Sequence, residues 1–200
     1  MVDSRVARDE GTRQLADPRA MRALAHPLRV SLMELLLREG PLTATQAALL
    51  LDDSPGNLSW HFQTLAKYGF VEEAGGGRGR ARPWRLVSAG TSFSSTDGDA
   101  DKAQAATALE RLFHQRADDG VQQWIAERHT YPDGWAAAGF ATDALTYLTP
   151  TELQELGERV SELFLSFSER SLDRRKRPAD SRPVHLVAFG HPLTPTPSGN

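Results

Sequence analysis

The apolar and polar positions between residues 41 and 71 predict two short helices joined by a tight turn. The first predicted helix covers residues 44–51, an almost entirely apolar run. Thr43 and Gln46 stand before and within its first turn at the spacing of a capping box, in which the two side chains satisfy each other's backbone amides. The acidic pair that follows at residues 52–53 ends the apolar run and predicts the turn.

A second helix is predicted over residues 55–68. Ser54 followed by Pro55 is a typical helix start, because serine caps free N–H groups and proline has no N–H to lose. Gly69 is the expected left-handed terminator. The apolar positions recur at helical spacing and form a stripe that we expect to be buried, namely Leu58, Phe62 and Leu65.

The other face of the second helix is mainly polar. Its predicted outward residues are Gly56, Asn57, Ser59, Trp60, His61, Thr64 and Lys67. Short polar side chains near a helix N-terminus suit contacts in the major groove of DNA, and Asn57, Ser59 and the Trp60 indole N–H fit that use. Taken alone, such a face is equally typical of a solvated surface helix, and Trp60 would also suit burial under a second subunit.

A hairpin is predicted directly after this helix. The chain alternates from Phe70 into a strand, passes a glycine-rich tip and returns through Trp84 and Leu86. Arg78, Arg80 and Arg82 lie at this tip, where arginines can pair with phosphates or enter a minor groove. A nucleotide-binding loop is a poor alternative, because no P-loop lysine and no strand-glycine-helix order is present.

These elements in this order predict a fold that is mainly α with a small β-hairpin. The predicted arrangement is a tail over residues 1–17, a winged helix-turn-helix DNA-binding domain over residues 18–90, and a helical C-terminal region with a loose tail over residues 91–200. The predicted DNA-binding residues are Thr43, Thr45, Gln46, Ser54, Pro55, Gly56, Asn57, Ser59, Trp60, His61, Lys67, Arg78, Arg80 and Arg82.

Two amphipathic helices are predicted in the C-terminal region, over residues 101–129 and 150–172. Helix packing and dimerisation are the usual roles of such apolar stripes, and a ligand pocket for a small-molecule effector is the open alternative. The basic run at residues 174–177 is interpreted as a solvated helix end or a phosphate contact. Residues 183–189 are expected to form a short strand.

The distribution of charge changes the meaning of the overall composition. The chain of 200 residues has a formal net charge of -3, which is unusual for a DNA-binding protein. Residues 19–88, however, hold 9 Lys and Arg against 6 Asp and Glu, a net of +3, so the acidic excess lies elsewhere. A basic module on an acidic body is consistent with a local DNA-binding face.

Three motifs give the chain a resemblance to a known family. They are ALAHPLR at residues 23–29, the pattern of Ser54, Asn57, Ser59 and His61, and the exit formed by Leu65, Gly69, Phe70 and Val71. With them, residues 18–87 resemble the ArsR-type winged-helix transcriptional regulators of bacteria. The resemblance implies a homodimer on a double-stranded DNA operator, usually a repressor, with residues 54–61 in the major groove and the hairpin as wing. Pro55, Gly56 and Trp60 provide fewer hydrogen-bonding side chains than the family often has, which shifts specificity towards DNA shape and the wing.

Metal sensing and enzymatic activity find little support. The chain has no cysteine, which excludes thiolate metal sites and disulfides, and its six histidines lack paired spacing. A histidine–carboxylate site, for example from His129 with Asp133, is the alternative left open. No catalytic motif occurs, so neither an enzyme nor a cofactor is expected. The start of the chain lacks the apolar run of a secretory signal, and we expect a cytoplasmic protein without membrane contact. The rival interpretation is a winged-helix protein-interaction module that does not bind DNA.

Overall fold

The protein is mainly helical, with two small two-stranded sheets, in the computed structural model, which describes residues 12–75, 82–93 and 99–193. Within these ranges the strands are β1 (Thr12–Leu15), β2 (Val71–Glu73), β3 (Trp84–Leu86) and β4 (Gly90–Phe93). The helices are α1 (Pro18–Leu24), α2 (Pro27–Glu39), α3 (Ala44–Leu51), α4 (Pro55–Lys67), α5 (Ala100–Glu127), α6 (Asp133–Ala138), α7 (Pro150–Leu165) and α8 (Ser168–Leu172). This confirms the predicted class of a helix-turn-helix with a β-hairpin, followed by a helical C-terminal region.

The two helices of the helix-turn-helix begin where the capping signals predict. The Thr43 hydroxyl accepts from the Gln46 amide at 3.2 Å, and the Gln46 side chain accepts from the Thr43 amide at 2.9 Å, so the capping box of α3 is complete. Asp52 ends α3 in the left-handed conformation, with φ of +52°. Ser54 then caps α4 by accepting from the Asn57 amide at 3.2 Å.

The apolar stripe of α4 holds this helix in the domain. Leu58, Phe62 and Leu65 are each 0% exposed, which confirms the predicted stripe. Phe62 also stacks on Trp84 of the hairpin, with ring centroids 5.8 Å apart. Gly69 has φ of +71°, a conformation that glycine adopts at little cost, and the chain turns there from α4 into β2. The same core therefore fixes both α4 and the base of the hairpin.

The hairpin is a short antiparallel ladder. Val71 pairs with Leu86 and Glu73 with Trp84, and Trp84 also forms an isolated bridge with Leu42, which joins the hairpin to the segment before α3. The tip at residues 76–81 lies outside the described residues, and with it the predicted contacts of Arg78 and Arg80.

A second small sheet was not predicted. β1 pairs in parallel with β4, and Leu15 of β1 is buried in the core. The predicted tail over residues 1–17 thus includes a strand at its end, and β4 begins at the last residue of the predicted DNA-binding domain over residues 18–90. Each strand has only four residues, which is too short to give a clear alternating pattern.

The long helix predicted at residues 101–129 is confirmed as α5. Its residues Ala105, Ala106 and Leu109 belong to the buried core. Two ion pairs fasten it to the preceding helices. Arg22 of α1 donates to Asp101 at 2.8 and 3.0 Å, and Arg116 forms an ion pair with Glu34 of α2. The N-terminal half of α5 is therefore part of the winged-helix core, although it lies beyond the predicted domain boundary at residue 90.

The remainder of the C-terminal region is more exposed. A capping box begins α7, with the Thr149 hydroxyl accepting from the Glu152 amide at 3.3 Å, but no residue of α7 is buried. The strand predicted at residues 183–189 is wrong, because this segment has no regular secondary structure. Within this segment Phe189 contacts α5, where its ring stacks on that of His114 with the two centroids 3.8 Å apart.

The basic run at residues 174–177 caps α2 rather than projecting freely into solvent. Arg174 donates to the backbone carbonyl of Glu39 at 2.6 Å, and Arg177 donates to that of Leu37 at 2.8 Å. The last carbonyls of a helix have no intrahelical partner, and cationic side chains are favourable at this negative end of the helix dipole. We call these two residues the arginine clasp, which ties the C-terminal region to α2.

Candidate nucleic-acid interface

The exposed part of α4 contains most of its predicted DNA-binding residues. Pro55, Gly56, Asn57 and Lys67 are exposed, and the Trp60 side chain is 56% exposed. Ser59 is half-buried. The N-terminal half of α4 thus presents a small, weakly charged surface with one large aromatic ring, which we call the reading surface (Pro55, Gly56, Asn57, Ser59 and Trp60).

Asp53 belongs to the candidate interface through its contacts with the start of α4, although the sequence pattern marks it only as part of the turn. Its carboxylate accepts from both the Ser54 amide, at 2.6 Å, and the Asn57 side-chain amide, at 3.1 and 2.9 Å to its two oxygens. The Asn57 amide group is therefore engaged within the fold, and its carbonyl oxygen is the atom left to face a ligand. The acidic residue directly before a Ser-Pro helix start was the available signal.

Local hydrogen bonds also engage other polar groups of the two helices. The Thr64 hydroxyl donates to the Trp60 carbonyl at 2.9 Å, and the side chains of Thr43 and Gln46 are used in the capping box of α3. Thr45 is exposed at the N-terminal end of α3. The described surface accordingly offers few free donors for base edges, which agrees with the expectation of specificity through shape.

The expectation that His61 belongs to the outward face is wrong. Its side chain is 3% exposed and lies against α2, where the Nδ1 atom accepts from Nε of Arg29 at 3.3 Å. His61 follows Trp60 by one residue and precedes the buried Phe62, so it lies at the edge of the apolar stripe. Because this part of α4 packs against α2, the His61 side chain points inward.

Arg29 is the second residue that the sequence analysis did not assign to the site. It is buried beneath α4, where its guanidinium donates to the Ala23 carbonyl and lies over the Trp60 ring, 5.5 Å from the centroid. The ALAHPLR motif contains both Arg29 and His26, but helical spacing alone does not show that they reach α4.

In the described part of the β2–β3 hairpin, the arginines are paired with glutamates. Arg82 donates to Glu73 at 2.8 Å, and Arg85 forms an ion pair with Glu72 at 2.6 Å. The hydrogen bond to Glu73 raises the pKa of Arg82, whose charge is already paired within the hairpin. A phosphate would have to compete with Glu73 for Arg82. Arg78 and Arg80 remain predictions from the sequence.

The helical arrangement and the exposed reading surface can be compared with known proteins. Residues 24–74 match the family model of a helix-turn-helix domain. The match begins at the end of α1 and runs through α2, α3 and α4 to the residue after β2. A comparison with curated proteins finds no match. The helix-turn-helix match supports a DNA-binding regulator, with double-stranded DNA as its partner.

Among the helices in residues 12–75, 82–93 and 99–193, none combines the length and the apolar composition that a membrane span requires. No group of three or more histidine or carboxylate side chains is placed to hold a metal ion in the same part of the chain.

Proposed function

We propose that this protein is a sequence-specific transcriptional regulator of the ArsR type that acts as a homodimer and represses transcription. The observation that carries the proposal is the exposed reading surface of α4. This helix is the second one of the helix-turn-helix, and the stripe on its opposite side is fully buried. The protein binds its operator with the N-terminal half of α4 in the major groove. The arginines of the hairpin tip contact the backbone or the minor groove.

The small size of the reading surface favours shape-dependent recognition. Gly56 allows close approach of the helix to the DNA, since nothing lies within 4 Å of the position of an added Cβ. Trp60 can pack against sugars or a thymine methyl, while the Asn57 carbonyl oxygen accepts from a base amino group. With so few polar contacts, the protein relies on groove width and on the wing for discrimination.

Selection of bound fragments from random duplex DNA tests this function. A palindromic consensus with half-sites about one helical turn apart is expected, because a symmetric dimer reads two equivalent half-sites. The absence of any enriched sequence at low salt would contradict the proposal.

That outcome would favour the second candidate, a protein-interaction module. One observation points to it: Leu49 and Leu50 of α3 are 82% and 57% exposed. Two neighbouring exposed leucines on a short helix suit a protein contact better than a phosphate backbone.

Arg78→Ala combined with Arg80→Ala is expected to weaken binding to all DNA sequences and to flatten the dependence of affinity on salt. The slope of log K against log salt is negative, and each lost phosphate contact reduces its magnitude by about 0.9. Fluorescence anisotropy across a potassium chloride titration measures this slope. Arg128→Ala, which removes a solvent-exposed arginine directly after α5, is the matched control. Equal slopes for the double variant and the unchanged protein would contradict the wing assignment.

The surface that we assign to the second subunit is the apolar stripe of α7. Two leucines of this helix are exposed, Leu156 at 46% and Leu163 at 63%. Phe167, which follows the end of the helix, is 50% exposed. Exposed apolar residues at helical spacing mark an interaction surface. Beside this helix an open groove of about 3220 Å³ separates α7 and α8 from the β1–β4 sheet. Its volume is several times that of a small-molecule pocket, typically about 300–1,000 Å³, so it suits a protein segment of the second subunit better than an effector alone.

Leu163→Glu is expected to shift the protein from dimer to monomer, because a carboxylate on this stripe would have to lose its water in the interface. Sedimentation velocity at micromolar concentration measures the change. Thr151→Glu places the same charge on the polar side of the same helix and is expected to leave the dimer intact. A dimer that is unaffected by Leu163→Glu would place the interface elsewhere.

A further inference from the structure

A group of four side chains joins the base of the reading surface to α2. Arg29 lies between His61 and Trp60, donating to Nδ1 of the histidine at 3.3 Å and lying over the indole ring at 5.5 Å. His26, at the start of α2, has its ring centroid 4.8 Å from that of His61. The Trp60 and His61 rings also meet edge to face, with their centroids 4.8 Å apart. We call this group the histidine–arginine cluster (His26, Arg29, Trp60 and His61).

The hydrogen bond between Arg29 and His61 requires a neutral histidine. A guanidinium only donates, so Nδ1 of His61 must act as the acceptor and therefore carries no proton. Protonation of His61 at Nδ1 removes the acceptor and places two cations in contact in a buried position. Nδ1 of His26 is buried as well and has no hydrogen-bond partner in the described part of the chain, so it gains no bond to a carboxylate when it is protonated.

The charged groups around the cluster favour the neutral histidines. Burial lowers the pKa of His26, and Arg29 lowers it further. Burial also lowers the pKa of His61, as do His26 and Arg29, while Asp53 acts in the opposite direction from the turn before α4. Tyr68, at the end of α4, is the other titratable group that acts on Arg29.

We propose that Arg29 and His61 position Trp60 on the reading surface, and that protonation of the two histidines releases it, which makes DNA binding sensitive to acid. The DNA part rests on the proposed function, whereas the release of Trp60 does not. Arg29 is a positioning residue in this scheme, since its side chain is buried and acts through the indole ring. Acidification separates Arg29 from His61 and frees the start of α2 from the first turns of α4.

The direction with pH follows from the lowered pKa values. In the unfolded or released state the histidines take up protons at about pH 6.5, while in the closed cluster they do so only at lower pH. The closed cluster is therefore fully stable above about pH 6.5 and loses stability as the pH falls below that value.

Fluorescence without DNA tests the release. The difference between the emission of the unchanged protein and that of Trp60→Phe isolates Trp60 from the other tryptophans. We expect its emission maximum and its quenching by iodide to change with a midpoint below pH 6.5, while the far-ultraviolet circular dichroism stays constant. His61→Gln keeps an acceptor for Arg29 but does not titrate in this range, so the midpoint should be lost or moved. His129→Gln removes an exposed histidine of the C-terminal region and should leave the midpoint unchanged.

DNA affinity is measured in parallel on the selected duplex. From pH 7.5 to pH 5.5 the affinity of the unchanged protein is expected to fall at least about fivefold, the lower end of typical coupling effects. If protonation acted only by adding positive charge, the affinity for DNA would rise on acidification. A fall in affinity therefore distinguishes the release of Trp60 from this charge effect. His61→Gln should reduce this fall.

The outcomes separate the two proposals. A Trp60 signal that is constant from pH 5 to pH 8, or one that changes together with global unfolding, would overturn the inference. The inference would also be overturned if the Trp60 signal changed with pH in both His61→Gln and His26→Gln as it does in the unchanged protein. A Trp60 change without DNA binding at any pH would support the cluster and refute the proposed function.

Discussion

Phe62→Ala is expected to lower the free energy of unfolding by about 3–5 kcal/mol, the usual cost of removing a buried aromatic side chain. Phe62 is 0% exposed and stacks on Trp84, so its removal leaves a cavity between α4 and the hairpin. A natural domain is stable by only about 5–15 kcal/mol, and the loss is thus a large fraction of the total. Urea unfolding followed by circular dichroism measures the change.

The matched control for this substitution is Phe140→Ala. Phe140 is 80% exposed in the segment between α6 and α7, and its removal should change the stability by less than about 0.5 kcal/mol. Equal midpoints of unfolding for the two variants would mean that the α4 stripe does not hold the domain together. A selective loss in Phe62→Ala would show that the reading helix and the wing depend on one core.

Gly56→Glu is expected to weaken DNA binding on the order of 100-fold while leaving the fold intact. An added side chain at this position meets nothing within 4 Å, so no steric cost arises. A carboxylate in the first turn of a helix is also favourable to the helix dipole. Against DNA the same carboxylate faces phosphates, and like charges in contact cost several kcal/mol. Anisotropy with the selected duplex measures the loss.

Gly134→Glu is a closely matched control. Gly134 is the second residue of α6, as Gly56 is of α4, and it too has open space around the position of an added Cβ. Because α6 lies outside the helix-turn-helix, this variant should bind DNA as the unchanged protein does. A similar loss in both variants would indicate a general effect of charge, and a full affinity in Gly56→Glu would remove α4 from the DNA interface.

Elements with local signals could be predicted from the sequence. The capping box of α3, the Ser-Pro start of α4 and the glycine after it each depend on contacts within a few residues, and all three were predicted. The buried stripe of α4 followed from helical spacing alone. These signals were sufficient for the order of the helices and the hairpin, and therefore for the helix-turn-helix.

Features that depend on distant contacts could not be predicted in this way. β1 and β4 are stabilised by each other across more than 70 residues, and neither is long enough to show a pattern. His61 lies at the border of the buried stripe, where the position of Arg29 on another helix decides its direction. The pairing of Arg82 with Glu73 likewise depends on the register of the hairpin. At the candidate site, contacts between distant residues therefore decide which polar groups are already engaged within the protein.

The arginine clasp donates its hydrogen bonds to main-chain carbonyls of α2, at Leu37, Arg38 and Glu39, rather than to side chains of that helix. Every amino acid provides such a carbonyl, so substitutions at residues 37–39 leave the acceptors in place as long as the helix ends at the same point. The two ends of the connection thus differ in mutational tolerance: the α2 end is free to vary, while the arginine end is not. The C-terminal region is consequently connected to α2, the helix behind the reading surface, by hydrogen bonds that tolerate substitutions in α2 but not at the two arginines.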